Sequence, residues 1–153
     1  MTNPSRIKGT KAESAVTKWL RDNGFPGADR QPGRGSRDQG DITVCPGVIA
    51  EVKAHKLPGT GLPGPALLAV WMRQTETERV HADADIAVLV VKRPGTTDVG
   101  RWLAYVTAWT LAELIYPRMT SAAHESPACH DPVCLSMASL VALLRAAGWG
   151  DPE

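Results

Sequence analysis

Two carboxylates and a lysine stand where they could hold a divalent cation beside a phosphodiester: Asp41, then Glu51 and Lys53 in the run Glu51-Val52-Lys53. Side chains at i and i+2 of a strand share a face, so Glu51 and Lys53 project to the same side. Cutting a phosphodiester needs water made nucleophilic near neutral pH and positive charge against the pentavalent phosphorus. Mg²⁺ held by a few carboxylates supplies both, because it takes oxygen ligands and keeps several waters. Asp41 and Glu51 suit that role, with the carbonyl of Val52 as a third oxygen. Lys53 would orient or deprotonate the attacking water.

These residues meet only if the hairpin carrying them has the right parity. In a strict two-residue hairpin across Pro46-Gly47, Asp41 would face Val52, and the two carboxylates would lie on opposite sides of the sheet. Pro-Gly favours a type II turn, which fits a two-residue hairpin poorly. The expectation is therefore a bulge or three-residue loop near residues 45–47, which brings Asp41 opposite Glu51. Without that shift, Asp-x9-Glu-x-Lys is an edge hairpin with a surface Glu/Lys pair.

The elements around the motif read as mixed α/β. Residues 8–23 carry Ala12, Val16, Trp19 and Leu20 at helical spacing and stop at Gly24. Thr10-x-x-Glu13 has the form of a capping box, yet Glu13 also borders the apolar stripe, so cap and site are both open to it. Strands are expected at 41–44 and 48–53, an irregular loop at 54–65, and a helix over 65–83 carrying Leu68, Trp71, Met72 and Val80. The apolar run at 86–91 reads as a central strand covered on both faces. A strand at 102–106 and helices at 107–115 and 136–147 complete the pattern, with a central sheet covered by an early helix and a crossover helix.

Of 153 residues, 43% are hydrophobic and 22% charged, as in one domain with a proper core. No apolar run reaches a membrane span and the start lacks a signal-peptide core, so a cytoplasmic protein with no membrane partner is expected. Three cysteines point to reduced thiols instead of a disulfide framework. The net charge of +1 is unevenly spread: residues 1–37 carry +5 and the remainder −4. That makes the N-terminal quarter the candidate anion-binding surface, the alternative being a solvated helix face and charged loop.

Lys8-Gly9-x3-Glu13 with Trp19-Leu20 and Asn23-Gly24-Phe25, then Arg30, Gly35-Ser36, Asp41-Ile42 and Glu51-Val52-Lys53, resembles the archaeal-type Holliday-junction resolvases of the PD-(D/E)xK nuclease superfamily. The likeness runs from about Arg6 to Val106. It implies a restriction-endonuclease-like mixed sheet flanked by helices, with residues 1–106 as nuclease core and 107–153 as a C-terminal helical extension packed on the core or at a dimer interface. It also implies Glu13, Asp41, Glu51 and Lys53 as the active site, with Glu13 joining Asp41 and Glu51 on the metal, and Ser36 and Arg30 near the scissile phosphate. Gln74 resembles the polar residue that many superfamily members aim at the site from the following helix. The implied enzyme is a homodimer dependent on Mg²⁺, with Mn²⁺ as substitute, that nicks four-way junctions. The family's usual proline before the motif aspartate is Gly40 here.

Branched DNA would be held by shape and phosphates through Lys8, Lys11, Arg30, Arg34, Ser36, Arg37, His55 and Lys56. The open alternatives are a restriction-type, nicking or repair nuclease on another DNA substrate, and a non-catalytic nucleic-acid-binding or zinc-stabilised interaction module. The zinc idea comes from His124, Cys129, His130 and Cys134, four soft ligands close in sequence. Adjacent Cys129 and His130 reach one metal poorly, which favours a polar loop with incidental thiols.

Overall fold

The first helix begins earlier than its apolar stripe. A computed structural model describes residues 3–32, 37–117 and 126–151, and in it α1 spans Pro4–Asp22. Asn3 caps α1 by accepting from the Ser5 N–H at 3.0 Å, with Pro4 at the first helical position. The expected capping box is thereby corrected: Thr10 lies inside the helix, and Glu13 is free for another partner. Ala12, Val16, Thr17 and Leu20 form the buried stripe.

Six strands make one sheet in sequence order: β1 (Asp29–Arg30), β2 (Ile42–Cys45), β3 (Val48–Lys53), β4 (Ile86–Val91), β5 (Leu103–Thr107) and β6 (Pro132–Ser136). All neighbours are antiparallel except β3 and β4, which run parallel because α2 (Pro65–His81) crosses over between them. α3 (Ala108–Ile115) follows β5, and α4 (Met137–Ala146) follows β6. The fold is thus α/β, a mixed six-stranded sheet flanked by helices. Among the described residues no helix is long and apolar enough to cross a membrane.

Strand alternation sorts the two faces. Ile42, Val44, Val48, Ala50, Val52, Val88, Val90, Ala104 and Val106 pack with α1, α3 and α4. On the other face Leu89, Val91 and Tyr105 pack under Trp71 of α2. Beyond residue 106, then, the chain supplies a strand as well as helices, and Leu114, Met137, Leu140, Val141 and Leu144 join the main core. Sequence pattern missed β6 because its five residues open on Pro132 and include Cys134 and Ser136, a composition suited to a sheet edge. Val80 is also corrected: 62% exposed, it stands off the buried stripe of α2, which runs through Trp71, Thr75 and Glu78.

Candidate active site

The parity question resolves at Val44. Ile42 pairs with Ala50 and Thr43 with Ile49, but Cys45 pairs with Val48, so Val44 is an extra residue between Thr43 and Cys45. Pro46 and Gly47 still form a two-residue connection, with Gly47 at φ +87°. The bulge restores the register in which Asp41 lies opposite Glu51. The Asp41 N–H donates to the Ala50 carbonyl at 3.1 Å, and the Asp41 carbonyl accepts from the Gln31 N–H at 2.8 Å. The backbone at Asp41 is thus held from both sides. Gly40 before it adopts φ +86°, a conformation closed to proline, so the residue that departs from the resolvase pattern is required by the local path of the chain.

Glu51 and Lys53 both face α2. Lys53 Nζ donates to Glu51 Oε1 at 2.6 Å and to Gln74 Oε1 at 3.1 Å, with the Lys53 and Glu51 side chains 12% and 5% exposed. Gln74 Nε2 donates to Glu78 Oε1 at 3.0 Å and to Glu51 Oε1 at 3.4 Å. Gln74 therefore belongs to the cluster and links its lysine to its carboxylates. Asp41 Oδ2 accepts from the Val52 N–H at 2.8 Å. Backbone groups of residues two apart on a strand point the same way, so the Val52 carbonyl lies on the edge toward Asp41, as the Ala50 carbonyl does.

Glu13 reaches the same region from the α1 face. Its Oε2 accepts from Arg30 Nη2 at 2.6 Å and Nε at 3.1 Å, and its charge acts on Asp41. Of the remaining expected residues, Lys8, Lys11, Arg37, His55 and Lys56 are exposed, while Arg34 and Ser36 lie outside the described residues.

Comparison with protein-family models, with curated proteins and with solved structures gives no match to this chain. The chemistry open to the site is set by its own donors and charges. Burial, then the neighbouring charge of Glu51, pushes the Asp41 carboxyl up from 3.8 to about 7, against the pull of the Val52 N–H. Burial likewise raises Glu51 from 4.5 to about 7, with Glu78 adding to the rise and Lys53 opposing it. Glu78 is raised as well, mainly by burial. Sequence reasoning missed Glu78, although its spacing from Trp71 and Thr75 on α2 puts it on the stripe facing the sheet.

Buried Glu51 Oε2 and Glu78 Oε2 have no hydrogen-bond partner among the described residues. Carboxyl groups held this way need a shared proton or a cation. A hard divalent cation fits the all-oxygen set of Asp41, Glu51 and the Val52 carbonyl, since Mg²⁺ is ordinarily bound through one or two carboxylates and retained waters. Among the described residues no three His, Cys, Asp or Glu side chains are grouped to hold a metal ion. At the far end of the chain, Cys129 and His130 stand on the short turn Pro127–His130, Cys134 lies on β6 opposite Tyr105, and His124 falls outside the described residues.

Proposed function

We propose that the chain is a metal-dependent endodeoxyribonuclease with a restriction-endonuclease-like core, selective for branched DNA and acting on four-way junctions as a homodimer. The observation that carries this reading is the bulge at Val44, which sets Asp41 across from Glu51 on the face where Lys53 meets Gln74.

In this reading Asp41, Glu51 and the Val52 carbonyl hold Mg²⁺, which when bound offsets phosphoryl charge and acidifies a water. Lys53, fixed by Glu51 and Gln74, has a further N–H to orient the attacking water or a phosphate oxygen. Arg30 balances the charge of Glu13 so that the anionic scissile phosphate can approach Asp41. A homodimer supplies the two sites that paired nicks across a junction need.

The test is cleavage of a synthetic four-way junction, a flap and a linear duplex with Mg²⁺. Symmetric nicks in the junction, lost in Glu51→Gln and Lys53→Met while junction binding persists, support the proposal. Cleavage retained by both variants would sink the site, and equal cutting of linear duplex would sink the selectivity for branched DNA. Zinc at the Cys129, His130 and Cys134 end is checked by metal analysis of the purified protein, where well below one equivalent removes it.

A further inference from the structure

A groove of about 830 Å³ opens beyond the carboxyl ends of β3 and β4, between the first half of α1 and the loops at 54–61 and 92–97. Lys8, Lys11, Lys56, Lys92 and Arg93 line it together with His55, and none of the described residues lining it is acidic. Lys92 and Arg93 were not singled out by the sequence, since they lie far along the chain from the basic N-terminal quarter. The parallel pairing of β3 and β4 brings them in: the Lys92 N–H donates to the Lys53 carbonyl at 2.9 Å, so the groove starts one residue past the catalytic lysine of the proposed nuclease.

Its dimensions and surfaces favour one kind of occupant. A cleft of about 830 Å³ is in the range of pockets that take a small ligand, and Gly61 packs so close to Pro94 that the two loops meet and bound it. A β-carbon on Gly61 would stand 2.5 Å from Pro94 Cγ. The exposed His55 ring, which lines the groove, stacks on Trp71 with centroids 5.5 Å apart. A cationic groove with an aromatic face is the pattern that takes single strands, phosphates against the charges and a base against the ring. The larger cavity between α2 and α3, about 1010 Å³, has Glu76, Asp85, Glu113 and Asp131 among its lining and lacks this selectivity for anions.

We infer that this groove seats a short single-stranded segment of nucleic acid leaving the cleavage site, as when a strand unpairs at the branch point of a junction. The inference rests on the nuclease reading for its purpose but not for its measurement.

The experiment is fluorescence anisotropy in EDTA with a labelled 12-mer of thymidine and, separately, a blunt hairpin duplex. For five phosphate contacts, log K against log salt should fall with a slope of about −3.5 on the single strand. The Lys92→Gln/Arg93→Gln pair should reduce that slope to about −2 and weaken single-strand binding at least tenfold near physiological salt, with duplex binding changed less than twofold. His55→Ala should weaken the single strand roughly tenfold with the slope unchanged. Lys8→Gln/Lys56→Gln is the second pair, both residues being exposed, should loss of the Lys92 contact over the Trp102 ring disturb folding. Wild-type affinity in both pairs, or equal losses on duplex and single strand, overturns the inference. A wild-type protein that holds the single strand in EDTA but cuts no DNA with Mg²⁺ keeps the groove and loses the nuclease.

Discussion

Replacing Glu51 with Gln removes one charge from the centre of the site at nearly constant shape, and the effect on stability can be worked from its surroundings. Burial raises the Glu51 carboxyl from 4.5 to about 7. Below the lower value folded and unfolded chains both carry the proton, and the group leaves stability unaffected. Between the two values the unfolded chain has released its proton while the folded one retains it, so stability falls as pH rises; above the folded value the loss is complete and constant. At about 1.4 kcal/mol per pH unit the gap amounts to about 3 kcal/mol. Glu51→Gln should therefore match the wild type near pH 4.5 and exceed it by roughly 2–3 kcal/mol at pH 8 in EDTA, or roughly 5–10 °C in Tm for a chain of this size. Thermal and urea unfolding between pH 4.5 and 9 measure this. Millimolar Mg²⁺ should narrow the gap at pH 8 by stabilising the wild type alone. A variant less stable at every pH would refute the burial argument, and a gap indifferent to Mg²⁺ would refute the placement of the cation.

Two further substitutions test what positions the carboxylates. At Gly47, φ is +87° and a β-carbon would stand 2.7 Å from Asp85 Oδ2 and 3.0 Å from Trp149 Cζ3, so Gly47→Ala should destabilise by about 1–3 kcal/mol in urea unfolding; a neutral result would mean that the turn yields easily and does not fix the register. Arg30→Ala leaves the 18%-exposed Glu13 carboxylate without its bidentate partner, and should cost about 1–2 kcal/mol, most of it restored in the Arg30→Ala/Glu13→Gln double variant. Additive losses in that cycle would show that the pair does not act as one unit.

How legible each part was depended on whether its signal is local. The bulge could be anticipated because two local facts conflict: Pro46-Gly47 asks for a turn that hairpins tolerate badly, and Asp41 with Glu51 asks for a parity that a regular hairpin denies. β4 announces itself as an apolar run, and β3 follows from the Pro46-Gly47 turn before it. The start of α1 does not, because residues 4–8 are all exposed and carry no stripe, while Thr10 and Glu13 imitate a cap further along. Asn3-Pro4 was the true signal, and it is a short one. β6 is an edge strand whose partner, β5, lies a helix and a long connection away, so neither alternation nor a turn motif points to it. The groove is the extreme case: the β3–β4 pairing brings Lys56 and Arg93 together, and Lys8 joins them only because α1 packs against the sheet.

The row of residues through Glu51 shows why the site reads as more than a charged surface. Asp41 lies opposite Glu51, Glu51 pairs with Leu89 on β4, and Leu89 pairs with Tyr105 on β5, so two carboxylates continue an otherwise apolar row beneath α2. A leucine at position 51 would extend that row and bury well; Gln74 and Glu78 above it could then be apolar too, completing the stripe begun at Trp71. The chain instead sets Glu51 close to Glu78 across the layer, each with a buried oxygen lacking a partner among the described residues, and above pH 7 the raised Glu51 carboxyl works against stability. Packing has no use for that arrangement, since each local choice runs against the hydrophobic pattern of the sheet. Under the proposed reading a divalent cation would reverse that balance, turning the repulsion into binding energy and restoring to the metal-bound wild type the stability that Glu51→Gln is expected to gain in EDTA.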